Sequence, residues 1–185
     1  VDQVGNYSWG TAQFLLPHVI GTDRPLTGRV TAWPSLIAHT EVFVAFGGLA
    51  LKNGQVSSGG AAEHTQEQWL RKLAASGATV INISPTRDDC PDFLGAEWIP
   101  IRPNTDVALM LALAYELRRT GAHDAAFLDS HCSGWAELEG YLLGSADGVP
   151  KTPAWAAAIT GIPAARIVQL AGQRSEEHTS ELQSH

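Results

Sequence analysis

The chain has 185 residues, 44% of them hydrophobic and 17% charged, which is ordinary for a globular α/β protein and enough to bury the core of one domain. Its formal charge of −7 and the lack of a Lys/Arg cluster argue against a nucleic-acid surface. No apolar run approaches the ~20 residues of a membrane span.

Residues 1–21 mix aromatic and small residues, and a short helix is expected to end before Pro17, because the residue before a proline avoids the helical region. Residues 22–33 read as a loop, and Pro34 to His39 as one or two helical turns. Glu41-Val42-Phe43-Val44-Ala45-Phe46 is a continuous apolar run closed by Gly47-Gly48, the pattern of a strand buried on both faces in a parallel sheet. A Gly/Ser-rich loop fills residues 49–62. A helix follows over residues 65–75, with Trp69, Leu70 and Leu73 on one face and Gly77 as its stop.

Thr79 to Ser84 is a second strand, stopped by Pro85, which completes a strand–helix–strand unit. Trp98 to Ile101 makes a third. A helix then runs from Asp106 to about Arg119, with Gly121 just past its end. Asn104 and Thr105 offer N-cap oxygens, and Asp106 sits where the helix dipole favours a negative charge. Shorter helices are expected over residues 124–131, 136–143 and 154–159, the last opened by Thr152-Pro153, and Pro163 opens another over residues 164–173. The reading is of an α/β chain with a Rossmann-like parallel sheet and flanking helices.

The two ends stand apart from this pattern. Val1 is not a methionine, and the first residues read as the interior of a longer chain. Residues 174–185, Arg-Ser-Glu-Glu-His-Thr-Ser-Glu-Leu-Gln-Ser-His, carry one apolar residue and no periodicity. They resemble an in-frame translation of a short-read sequencing adapter and are expected to be disordered and non-native. The expected organisation is therefore one partial domain over residues 1–173 and an extraneous tail.

Three strand ends carry polar, tight-turning residues on the side where open parallel sheets bind ligands. The first gives Gly47-Gly48 and then Lys52-Asn53; the second gives Ile83-Ser84 and then Arg87; the third gives Asn104-Thr105-Asp106. Glycines admit backbone N–H groups close to a phosphate, and Lys52 or Arg87 would neutralise it. Ser84 can reach a ribose hydroxyl. The Asp106 carboxylate can accept from both N1–H and N2–H₂ of guanine, a donor pair that adenine lacks. Each residue also has a plainer reading: a tight turn, a solvated loop lysine, a strand terminator, a surface ion pair of Arg87 with Asp88 or Asp89, a helix-start acid.

No catalytic group emerges from pattern alone. Cys90 and Cys132 stand far apart with no C-x-x-C, and His18, His39, His64, His123 and His131 show no metal spacing. There is no G-x-G-x-x-G, no P-loop and no G-x-S-x-G elbow.

Several segments in order nevertheless carry a family likeness. They are Tyr7-Ser8-Trp9-Gly10, Leu16-Pro17-His18-Val19-Ile20-Gly21, Leu51-Lys52-Asn53, Ser84-Pro85-Thr86-Arg87, Gly95-Ala96-Glu97, residues 101–110, Tyr141-Leu142-Leu143-Gly144 and residues 147–156. Together they resemble the dimethyl sulfoxide reductase family of molybdenum enzymes, in particular its trimethylamine N-oxide and biotin sulfoxide reductases. The resemblance implies a larger multidomain molybdoenzyme that carries bis(molybdopterin guanine dinucleotide) molybdenum and takes an oxygen atom from a small S-oxide or N-oxide. It implies that Lys52 and Asn53 contact the cofactor, that Ile83 and Ser84 lie at one nucleotide, and that Asn104, Thr105 and Asp106 hold a guanine. Ser84 stands where the family often has Asp, so its ribose contact is expected to be weaker or different.

The protein ligand to molybdenum is expected upstream of Val1, and the second half of the cofactor cradle beyond Gln173. No residue here is assigned to catalysis or to the metal. As a 185-residue piece the chain is expected to be inactive and poorly soluble. The resemblance further implies a bacterial protein of the periplasm or cytoplasm, served by an electron-donor protein or reduced nicotinamide. Two other readings stay open: a nitrate reductase or formate dehydrogenase type of the same superfamily, and a stand-alone nucleotide-binding module.

Overall fold

The structure is a computed structural model that describes residues 10–24, 31–55 and 64–182, with side chains of the last helix as far as Gln173. Tyr7-Ser8-Trp9, part of the loop over residues 22–33 and most of the Gly/Ser-rich loop before His64 lie outside the described residues. The chain divides into two compact units, residues 1–39 and 40–185.

The first unit holds helices α1 (Gly10–Ile20) and α2 (Trp33–His39). Helix α1 does not end before Pro17, as expected, but contains it. Pro17 falls in the last turn, where its missing N–H costs a single bond, and its carbonyl still accepts from Gly21 N at 3.1 Å.

The second unit is built on a parallel sheet in the order β1 (Val42–Phe46), β2 (Thr79–Ile83), β3 (Glu97–Ile99). Helix α3 (Gln66–Ala75) links β1 to β2, while residues 84–96 link β2 to β3 through two short 3₁₀ turns. Next come α4 (Asp106–Thr120), α5 (Ala125–His131), α6 (Trp135–Leu142), α7 (Pro153–Thr160) and α8 (Ala164–Leu182). This is the expected α/β class with a parallel sheet and flanking helices.

Strand alternation explains the layers. Ile81, Ile83, Ile99 and Ile101 join Leu109, Ala112 and Leu113 of α4, Ala156 of α7, and Ile167, Leu170 and Ala171 of α8 in one buried cluster. Each of its larger side chains contributes about 1.5–3 kcal/mol by leaving water. Val80 and Asn82 therefore face the other side, where Leu70 and Leu73 of α3 and Leu94 are also buried outside that cluster. The strand buried on both faces is β2, not β1: of β1 only Ala45 is fully buried. Among the described residues β1 is at the edge of the sheet, and an apolar run alone does not distinguish edge from centre.

Strand β3 stops at Ile99 rather than Ile101. Pro100 has no N–H for the ladder, and Arg102 N already donates to Thr160 O at 3.0 Å. Helix α8 runs on to Leu182, past the expected end at Gln173. No proline interrupts residues 164–182, and extending a docked helix costs far less than nucleating one. Among the described residues no single helix is long and apolar enough to cross a membrane.

Caps and ion pairs fix the helices. Thr152 Oγ1 accepts from Trp155 N at 3.1 Å and Asp124 Oδ1 from Phe127 N at 2.8 Å. Gly121 at φ 72° closes α4 as expected. Arg166 pairs with both carboxylate oxygens of Glu97, tying α8 to β3. Lys151 is almost wholly buried; its ammonium meets Asp147, the Val149 carbonyl and the face of Tyr141 at 4.1 Å.

The Lys151 hydrogen bond, followed by that from Val149 N, holds the Asp147 carboxyl below its ordinary range. A carboxyl with a depressed folded pKa contributes stability above its unfolded value, near 4, and loses it as pH falls through the folded value. Urea midpoints of wild-type protein should therefore fall below about pH 4, and Asp147→Asn should flatten that part of the slope. An unchanged slope would remove Asp147 from the acid response.

Candidate functional site

Because the sheet is parallel, β1, β2 and β3 end on one edge, with Phe46 beside Ile83 and Ile83 beside Ile99 in register. The expected site residues gather at this edge by topology. Ile83 is the last residue of β2, and Ser84 follows it directly. Lys52 and Asn53 lie in the 3₁₀ turn Leu51–Gly54 after β1, and Asn104, Thr105 and Asp106 lead from β3 into α4.

Hydrogen bonds stitch the three strand ends together. Gly47 N donates to Ile83 O at 2.9 Å, Leu49 N to Asp89 O at 2.7 Å, and Ser84 N to Ile99 O at 3.3 Å. Trp98 Nε1 donates to Ser84 O at 2.9 Å. Gly47 and Gly48 both have positive φ, 83° and 87°. Gly48 packs so closely on the second turn that a Cβ would lie 2.5 Å from Asp89 Cβ and from its carbonyl oxygen. The glycine pair therefore serves a close backbone approach as well as a turn.

Ser84 is fully buried and does not present a free hydroxyl: its Oγ donates to Asp89 Oδ2 at 2.7 Å and accepts from Thr86 N at 3.3 Å. The expected ion pair of Arg87 with Asp88 or Asp89 does not form among the described residues, since Asp89 turns to Ser84 instead. Asp89 is half-buried, and its second carboxylate oxygen has no partner among the described residues. The Asp88-Asp89 doublet just after a Ser-Pro turn was the signal available for it, because Asp side chains bond back onto nearby turns.

At the third strand end the expected N-cap is absent. Thr105 Oγ1 donates to Arg102 O at 2.7 Å and no side chain caps α4. Asn104 sits at φ 62°, the one non-glycine residue with positive φ among the described residues. A left-handed turn suits Asn better than most residues and is worth attention at a candidate site. Arg102 anchors the turn from below: its Nη1 donates to Ala158 O at 2.7 Å and Ile159 O at 3.1 Å, at the carbonyl end of α7. The half-buried Asp106 carboxylate makes no ion pair and accepts no hydrogen bond from the described residues, and exposed Lys52 likewise pairs with no carboxylate. Among the described residues, an acid and a base thus follow two strand ends on one sheet edge without neutralising partners.

A cavity of about 220 Å³ is lined by Asn82, Arg87, Cys90, Asp92, Ala96 and Trp98. Asn82 is buried and neither side-chain polar atom has a protein partner. Burial, with help from the Asp92 carboxylate, pushes the Cys90 thiol up, which keeps it a poor nucleophile. Neither residue was singled out from sequence for the site; within an apolar strand pattern Asn82 gives no distinguishing signal. Among the described residues no group of three or more His, Cys, Asp or Glu is placed to hold a metal ion.

No protein-family model matches the chain. The biotin sulfoxide reductase of Cereibacter sphaeroides is 43% identical over 170 residues, 91% of this chain and 23% of that protein. The trimethylamine-N-oxide reductase of Haemophilus influenzae is 38% identical over 97% of this chain and 22% of its own length. The dimethyl sulfoxide/trimethylamine N-oxide reductase of Rhodobacter capsulatus is 39% identical over 92% of this chain and 20% of its own. The chain thus spans less than a quarter of the length of these curated relatives. Among solved structures, acetylene hydratase from Pelobacter acetylenicus matches 73% of this chain and 16% of its own with a TM-score of 0.53 at 22% identity, a likeness of fold. With several relatives near 40% identity along nearly its whole length, and that fold, the chain belongs to the dimethyl sulfoxide reductase superfamily, beside its trimethylamine N-oxide and biotin sulfoxide reductases.

Proposed function

We propose that this chain is the Rossmann-like, guanine-nucleotide-holding part of a multidomain molybdenum reductase that acts on a small S-oxide or N-oxide. The observation that carries the reading is the free carboxylate of Asp106, set in the first turn of α4 behind the left-handed Asn104 and at the same sheet edge as Lys52. These residues fit the nucleotide ends of bis(molybdopterin guanine dinucleotide) by the chemistry of their donors. Asp106 offers paired acceptors for N1–H and N2–H₂ of guanine, and Asn104 and Thr105 shape the turn around the base. Lys52 offers a cation for phosphate or pterin, with Asn53 beside it, and the Gly47-Gly48 backbone allows close approach. Ile83 ends the strand against which one nucleotide would rest. The chemistry supplied by the bound cofactor is removal of the substrate's oxygen at molybdenum, and this chain's part is to bind and orient that cofactor.

The test uses the full-length protein, purified under conditions that retain cofactor. Acid treatment should release about two equivalents of GMP per molybdenum, one from each pterin dinucleotide, and the protein should oxidise a reduced viologen with dimethyl sulfoxide, trimethylamine N-oxide or biotin sulfoxide. Release of CMP or AMP in place of GMP, or no released nucleotide, would overturn the reading.

A further inference from the structure

We propose that Asp89, rather than Ser84, is the residue that holds the ribose of the nucleotide at the end of β2; the inference rests on the guanine-nucleotide reading above. In an open α/β sheet the ribose hydroxyls are held by an acceptor just beyond a strand end, and a carboxylate is the strongest such acceptor because it takes both hydrogens of a diol. Ser84 stands at that place in the chain, yet it is fully buried and its one hydroxyl hydrogen is spent on Asp89 Oδ2 at 2.7 Å. One acceptor lone pair takes Thr86 N at 3.3 Å. The other is sealed from solvent with the rest of the side chain, so a ligand does not reach it.

Asp89 is held at the same point by three hydrogen bonds. Ser84 fixes one carboxylate oxygen, Leu49 N bonds its carbonyl at 2.7 Å from the first strand end, and its own N donates to Thr86 O at 3.3 Å. Gly48 lies flat against it, in a space where a Cβ would not fit. The side chain is half-buried, and among the described residues it makes no ion pair and its other oxygen has no partner. A carboxylate fixed by one oxygen and free at the other is preorganised to accept from hydroxyls, and Ser84 is its positioning residue. The structure also gives Gly48 a reason to be glycine, since any side chain would push Asp89 off this point.

The experiment uses full-length protein prepared without cofactor, with GDP and 2′,3′-dideoxy-GDP as probes in a calorimetric or fluorescence titration. A charge-assisted hydrogen bond to a buried partner is worth about 1.5–3 kcal/mol, so wild-type protein should prefer GDP over the dideoxy nucleotide about 10- to 100-fold. Asp89→Asn keeps an oxygen for Ser84 and the backbone bond from Leu49; it should cut the preference to about threefold or less while leaving dideoxy-GDP affinity unchanged. Ser84→Ala should lower the preference partway. If Asp89→Asn weakens both nucleotides equally, or leaves the preference intact, Asp89 is a structural residue and the proposal falls while the guanine reading stands. If wild-type protein binds neither GDP nor its dideoxy form, both fall together.

Discussion

Asp106→Asn in the full-length protein is expected to weaken GDP binding by about two orders of magnitude and to strengthen binding of xanthosine diphosphate. The argument is one of donors and acceptors. The guanine edge presents two donors, N1–H and N2–H₂, and a carboxylate meets both. A carboxamide presents one acceptor and one donor, so its NH₂ would face the guanine N2–H₂ and leave two donors opposed. Losing one charge-assisted bond and opposing a second pair costs on the order of 3 kcal/mol, which is about 100-fold. Xanthine carries a carbonyl where guanine has its amino group, and it suits the carboxamide.

The structure favours a specific outcome because the carboxylate has no partner to lose among the described residues. The helix itself forfeits only a dipole interaction of about 0.3–1 kcal/mol at its first turn. Titration with both nucleotides, together with the GMP content of the purified variant, checks the assignment. Should GDP and xanthosine diphosphate respond in parallel, or not at all, Asp106 is only the acid of a helix start.

Much of the scaffold was legible because its signals are local. Gly77 and Gly121 end helices where left-handed backbone is needed, and Thr152-Pro153 opens one with a side-chain acceptor and a preset φ. The apolar runs at residues 42–46 and 79–83 gave two strands, but not which of them is central, since that depends on what lies alongside. Pro17 shows the limit of a local rule. In the last turn of a helix a proline forfeits one bond, and the helix passes through it. Pro100 shows the reverse, a proline inside an apolar run that ends a strand early.

The candidate site divides the same way. Lys52, Asn53, Ile83 and residues 104–106 could be assigned to one edge from strand order alone, because parallel strands must end together. What sequence could not supply was the pairing of side chains across that edge. Ser84 and Asp89 are five residues apart in a loop without a repeating geometry, and only the fold decides that the serine serves the aspartate. Thr105 likewise has the right chemistry for a cap, but its hydroxyl turns back to the Arg102 carbonyl because the left-handed Asn104 redirects the chain.

Gly48→Ala is expected to open this edge, whereas Gly47→Ala next to it is not. Both glycines have left-handed backbone, φ 87° and 83°, so both substitutions carry the same conformational cost of about 1 kcal/mol. Their surroundings differ. A Cβ at Gly47 meets nothing within 4 Å, while one at Gly48 lies 2.5 Å from Asp89 Cβ and carbonyl oxygen. Those atoms belong to a backbone held by Leu49 N and Thr86 O, not to a flexible side-chain end, so the contact is relieved only by moving a strand end. Overpacking of that kind costs about 1–3 kcal/mol more, giving about 2–4 kcal/mol for Gly48→Ala against about 1 for Gly47→Ala.

Hydrogen exchange reads the difference locally and does not require the whole protein to unfold in two states. The Leu49 amide, which donates to Asp89 O, should exchange on the order of 10- to 100-fold faster in Gly48→Ala and should change little more than the conformational cost allows in Gly47→Ala. Amides in α4, on the other side of the sheet, should keep their wild-type rates in both. If the two variants behave alike, the close approach at Gly48 has no energetic weight and the glycine pair is a turn and nothing more. If only Gly48→Ala also erases the preference for GDP over its dideoxy form, the packing of glycine on aspartate is what sets the carboxylate at the ribose.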